Sequence, residues 1–228
     1  MAEYFLASHV HFCCRGDAFV FLDLKQDDYM LVNGSTASAF KKLLDHQLTQ
    51  ATSQFTADLQ ELLDGGLLTT DCHAGKSLSA ATAELAHEPL IDPEALPQSR
   101  PRASHLARFV SACTTAAIRL RWGHIQRTVN AVANRKRRHA PRTPFDIDKA
   151  RELTATFQTL RSAFPRDYLC LFDSLALLEF LAAHDVYPTW VFGVRLEPWG
   201  AHCWVQEGQF IFNEGVEEAA SYTPIMTV

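Results

Sequence analysis

The stretch YLCLFDSLALLEFLAAHD, residues 168–185, constrains this chain more than any other. At 3.6 residues per turn it is apolar almost all the way round, which predicts a buried helix. Its first turn nevertheless holds Cys170, just after Asp167. A thiol attacks a carbonyl only as its thiolate, so it needs a lowered pKa or an adjacent base. Unpaired N–H groups at a helix N-terminus supply positive potential, worth roughly 0.3–1 kcal/mol when exposed and more when partly buried. The Cys170 N–H would also point outward, toward a developing oxyanion.

A base and an orienting acid follow in order. GAHCWV places His202 thirty-two positions after Cys170, and FIFNEG places Glu214 twelve after that. Strand alternation puts His202 and Trp204 on one face and Ala201 and Cys203 on the other. A tight hairpin around Gly208 brings 212–214 opposite 202–204, where Glu214 can take the second imidazole N–H. The sequence assigns no role to Cys203. Adjacent strand residues face opposite ways, so it does not share a metal with His202. His9, His11 and Cys13 alternate onto one face, but no second cluster at ligand spacing joins them, so no metal site is expected.

Three regions separate by composition. Residues 1–72 begin with three strand-like runs, SHVHFCC, AFVFLDL and DDYMLVN. RGD (15–17) and KQDD (25–28) supply the turns. Asn33-Gly34-Ser35 opens a helix with Ala37, Phe40, Leu43 and Leu44 inward. A second helix, Thr56 to Leu63, carries Leu59, Leu62 and Leu63 on one face, stops at Gly65-Gly66 and returns as LLTT. This reads as a small winged-helix-like module. Residues 73–102 are rich in Ala, Ser and Pro and read as a linker. Their GKS is not a phosphate loop, because Thr70 stands where the motif needs Gly.

Residues 103–228 read as helices followed by an antiparallel sheet, giving an α+β class overall. A basic helical segment spans 103–142, with a break expected at Gly123. Pro141 and Pro144 interrupt the chain, and a helix is predicted from Asp146 to Leu160. A catalytic core of 145–228 ends in TWVFGVRL and AHCWVQEGQFIFNE. Net charge is −5, but eleven of the 21 Lys and Arg fall between Arg100 and Arg142 with no Asp or Glu among them. The rest of the chain therefore carries −16. The basic stretch is expected to dock on an acidic partner or on the acidic remainder of the chain. At 47% apolar and 21% charged, the composition is that of an ordinary globular protein. No secretory signal or transmembrane segment is read, and six irregularly spaced cysteines suggest reduced thiols and a cytoplasmic location.

At these residues the chain resembles the lasso-peptide biosynthesis B proteins, leader peptidases of lasso maturation, in the form that fuses a recognition module to the peptidase. YLCLFDSLALLEFL is similar to that family's nucleophile helix, FGVRLEPWGAHCWV to its two central strands and FNE to its acid segment. YMLVNGSTASAFKKLLD resembles the recognition module, itself similar to the small PQQ-chaperone fold. The resemblance implies a papain- or transglutaminase-like cysteine protease domain with Cys170 as nucleophile, His202 as base and Glu214 as orienting acid. The family more often shows Asp at the acid position, and Ala is common where Cys203 stands. The resemblance also implies that a precursor's leader adds as a strand at Tyr29, Met30 and Leu31, near Leu59, Leu62 and Leu63. The freed core would pass to an asparagine-synthetase-like cyclase. No cofactor is expected on the chain itself, and any ATP dependence would come through that partner. Two alternatives are a transglutaminase-like acyltransferase with the same triad and a non-enzymatic winged-helix nucleic-acid binder. No aromatic interleaving accompanies RKRRH, so no nucleic-acid partner is expected.

Overall fold

The computed structural model describes residues 3–45, 53–91, 101–139, 145–165 and 167–228. Pro141, Pro144, Arg142 and residues 92–100 of the expected linker lie outside them. The chain divides into two units, Met1–Thr82 and Ala83–Val228.

In the first unit, β2 (Val10–Arg15), β3 (Ala18–Asp23) and β4 (Asp28–Val32) form an antiparallel sheet in that order. Gly16 (φ 63°) turns the chain between β2 and β3, where the RGD run predicts a turn. Alternation sends Phe12 from β2 and Phe19 and Phe21 from β3 inward. They meet Phe40 of α1 (Gly34–Leu44) with ring centroids 5.0–5.1 Å apart. Helix α2 (Ser53–Asp64) packs on α1 and ends at Gly66, whose φ of 70° suits glycine. Strand β1 (Phe5–Ala7), which the sequence pattern does not announce, pairs on one side with β5 (Leu68–Thr69) and on the other with β6 (Gly75–Lys76).

The second unit is organised around α6 (Cys170–Ala182). Phe172 through Leu178 are all buried, as are Phe180 and Leu181. Each fully buried Leu or Phe contributes roughly 1.5–3 kcal/mol of transfer free energy. The helix is covered by α3 (Ala103–Trp122), α5 (Ile147–Ser162) and β9 (Trp199–Glu207). Gly123 separates α3 from α4 (Ile125–His139). A side chain there would sit 2.4 Å from the Arg119 carbonyl oxygen. Asp146 caps α5, its carboxylate accepting from the Lys149 N–H at 3.0 Å.

The sheet of this unit has the order β11 (Thr223–Thr227), β8 (Thr189–Leu196), β9, β10 (Phe210–Ile211), β7 (Glu88–Pro89). It differs from the expected sheet at both edges. β11 follows a short helix, α7 (Val216–Ala220), that the sequence pattern does not show. β7 comes from the expected linker and runs parallel to β10, where all other neighbours are antiparallel. The stretch 73–102 thus supplies β6 to the first unit and β7 to the second. Short strands such as these rely on a remote partner and leave no period in the sequence. Among the described residues no helix is long and apolar enough to cross a membrane.

Candidate active site

The first turn of α6 lacks a capping side chain at Leu169. Asp173 serves instead: its Oδ2 accepts the Leu169 N–H at 2.7 Å. Arg161 of α5 pairs with the same carboxylate and donates to the Asp167 carbonyl at 3.0 Å. The carboxylate is buried, so the pair fixes where the helix starts. Cys170 opens that helix and is partly exposed, behind Tyr168 and Leu169, which are 52% and 50% exposed.

β9 holds His202 and Cys203, and the next segment holds Asn213 and Glu214. The β9–β10 hairpin pairs Phe210 with Glu207 and Ile211 with Gln206. Beyond it the Phe212 N–H still donates to the Val205 carbonyl at 2.9 Å. This register differs by one residue from the expected placement of 212–214 opposite 202–204. The glutamate is one methylene longer than an aspartate, and its carboxylate still reaches the imidazole: Glu214 Oε2 and His202 Nε2 are 2.8 Å apart. The imidazole is also hydrogen-bonded to the Cys170 sulfur. The imidazole stacks on Tyr222, centroids 5.1 Å apart, and on Trp204 at 6.2 Å.

Charges within the cluster follow from these contacts. The Cys170 thiol is pulled down to about 4, first by a hydrogen bond from the Cys203 thiol and then by one from His202, against burial. His202 is raised to about 9, first by Cys170 and then by Glu214. The bond from His202 holds the Glu214 carboxyl below its usual range. Burial, and next the Cys170 sulfur, push the Cys203 thiol well up. Near neutral pH Cys170 and His202 therefore stand as a thiolate and an imidazolium, the charge state a cysteine nucleophile requires.

The structure thus brings Cys170, His202 and Glu214 together. It also places four further residues around them: Cys203 beside the sulfur, Ser174, Asn213 and Tyr168. None of the four is assigned a role by the sequence pattern: alternation sets Cys203 on the strand face opposite His202, yet its thiol bonds the Cys170 sulfur. The residues expected at the leader surface divide. Met30 and Leu31 are exposed, at 45% and 49%, and Tyr29 is half-buried. Leu59 and Leu62 are core side chains, and Leu63 is partly buried against the same core. The 3.6-residue stripe that made them a face is the stripe that faces the core of this unit.

Among the described residues no three His, Cys, Asp or Glu side chains converge as a metal ligand set. His9 lies 3.6 Å from Asp23, and His11 sits beside Lys76 at 3.3 Å. Burial, and next the Lys76 charge, lower His11 to about 4.

Comparison with known proteins gives a match to the family described as the transglutaminase-like superfamily, over residues 110–227. The matched span runs from the middle of α3 through β11 and contains Cys170, His202 and Glu214. No curated protein and no solved structure matches the chain.

Proposed function

The chain belongs to the transglutaminase-like superfamily, and from that premise we propose that it is a cysteine leader peptidase acting on a lasso-peptide precursor. The observation that carries the reading is the contiguous set of thiol, imidazole and carboxylate, with Glu214 2.8 Å from His202 and the thiol depressed to about 4. In this mechanism the Cys170 sulfur attacks the carbonyl at the leader–core junction. The Cys170 N–H, at the start of a 13-residue helix, donates to the oxyanion. The imidazolium of His202 gives its proton to the departing amine, and a thioester remains on Cys170. Water, losing a proton to the now neutral imidazole, hydrolyses the thioester and frees the leader carboxylate. Glu214 holds the ring in one tautomer and stabilises its charged form throughout.

Leader recognition belongs to the first unit in this reading. Among the described residues β4 pairs only with β3, so its outer edge offers backbone groups to an added strand. The exposed side chains of Met30 and Leu31 would flank such a strand, with Tyr29 beside them. The freed core amine would pass to an ATP-using macrolactam cyclase, through which any ATP dependence would enter.

The test is incubation with a lasso precursor and its cyclase, read by mass. The unaltered protein should release an intact leader ending in a free carboxylate. Cys170→Ala should abolish cleavage, by at least a thousandfold, and leave leader affinity unchanged. Cleavage at the normal rate by that variant would refute the assignment. A leader joined to an added amine, in place of a carboxylate, would replace hydrolysis by acyl transfer.

A further inference from the structure

We propose that Asn213 and Ser174 form a positioning bridge that holds the three reacting groups in register. The inference rests on reading Cys170, His202 and Glu214 as those groups. Each member of the bridge lies next to one of them in the chain or on the helix. Asn213 immediately precedes Glu214. Ser174 is one helical turn after Cys170, on the same face of α6. The third anchor, the Cys203 carbonyl, immediately follows His202.

The bonds between them are continuous. The Val205 N–H donates to Asn213 Oδ1 at 2.8 Å, which ties the acid-bearing segment to β9. Asn213 Nδ2 donates to Ser174 Oγ at 3.1 Å, which ties it to the helix of the nucleophile. Ser174 Oγ in turn donates to the Cys203 carbonyl at 3.0 Å, closing the loop on β9. Ser174 is fully buried and Cys203 is 3% exposed, so their bond is shielded from water, while the two bonds of the half-buried Asn213 side chain are shielded in part. Tyr168, two residues before Cys170, donates its O–H to the Asn213 carbonyl at 3.0 Å.

A side-chain amide suits this place for a chemical reason. Asn213 must accept from a backbone N–H with one end and donate to a hydroxyl with the other, and an amide does both without charge. An aspartate would keep the acceptor, lose the donor and set a second negative charge beside Glu214. An alanine would leave the Val205 N–H and the Ser174 hydroxyl each short of a partner. Glu214 would keep its own bonds to His202 and the Gly215 N–H, and the Tyr168 bond to the residue 213 carbonyl, but would lose the side-chain tie to α6 and β9.

The test is the pH dependence of Cys170 alkylation by iodoacetamide, with the labelled cysteine identified by peptide mass. It needs no peptide substrate. In the unaltered protein Cys170 should label with a midpoint far below that of an ordinary thiol. Ser174→Ala and Asn213→Ala should each raise that midpoint and slow labelling at pH 6 at least fivefold. The double variant should do no more than either alone, because both break one bridge. Folded variants whose labelling profile matches the unaltered protein would overturn the proposal, whatever their melting temperature. Should both variants fail to fold, the side-chain amide of Asn213 is read by NMR in the unaltered protein. Exchange with solvent slowed at least a hundredfold supports the bridge, and exchange as fast as an exposed amide overturns it. An ordinary midpoint for Cys170 in the unaltered protein would instead remove the peptidase reading itself, so the two failures are distinguishable.

Discussion

Glu214 is the smallest place at which the chemistry of this protein can be tuned. Its carboxylate holds the His202 imidazolium, and the imidazolium holds the Cys170 thiolate. The signs of the linkage differ for the two partners. Cys170 has a folded pKa far below the ordinary thiol value of about 8.5, so its contribution to stability is complete above that value and is lost as pH falls toward about 4. His202 is raised, so its contribution is complete below its ordinary 6.5 and is lost as pH rises through about 9. The ion pair therefore exists between about pH 4 and about 9. Glu214→Gln removes the charge that favours the imidazolium while keeping an acceptor. Its expected result is a downward shift of the His202 titration from about 9, with cleavage falling off at lower pH on the alkaline side. NMR of the imidazole protons measures the first, and a pH–rate profile the second. At this scale the residue types spoke plainly. A cysteine in the first turn of an apolar helix, a strand histidine and a glutamate past a hairpin are visible in the chain. Asn213, Ser174 and Cys203 were not, because their roles depend on which backbone groups the true register sets opposite them, and that register is one residue from the simple hairpin count.

Among the elements, the β8–β9 hairpin does the most to shape the site. It pairs Gly193 with His202. A Cβ at Gly193 would lie 2.9 Å from the Trp204 ring and 2.9 Å from the Tyr222 Cβ, so the strand needs glycine there for those rings to close on the imidazole. Arg195, on the same strand, lies over the Tyr222 ring at 4.8 Å from its centroid. Gly193→Ala is expected to cost about 1–3 kcal/mol through overpacking. It should also lower cleavage more than it lowers stability, since the displaced rings are those behind His202. Thermal unfolding and single-turnover cleavage on the same sample separate the two effects. The long elements of this unit are readable in the sequence, α5 from its apolar periodicity to within two residues at each end and α6 from its continuous apolar run to within three. The edges of the sheet are not. β7 is two residues long and gains its stability from pairing with β10, far along the chain, which no local pattern encodes.

For the molecule as a whole, the basic stretch has a partly internal destination. Arg119 and Arg135 both bond the Glu179 carboxylate at 2.5 Å. Lys136 donates to the Thr189 hydroxyl at 2.6 Å. These bonds draw α3 and α4 onto the helix and sheet of the site, and they account for part of a charge run that resembles a nucleic-acid patch in sequence alone. Glu179→Gln leaves two guanidiniums facing a neutral amide and is expected to destabilise by about 1.5–3 kcal/mol, the range for losing hydrogen bonds to a charged group. A calorimetric melting curve checks it. The loss should shrink little with added salt, because the carboxylate side chain is only 9% exposed. The parallel pairing of β7 carries a practical consequence. The outermost strand beside the hairpin that leads to Glu214 is made from residues that composition assigns to a connector. A trimmed version of this protein, meant to keep its chemistry while discarding the first unit, would begin at Ala83 and so retain β7. One that begins at Ala103 would present β10 with a bare flank, open to whatever extended chain arrives first.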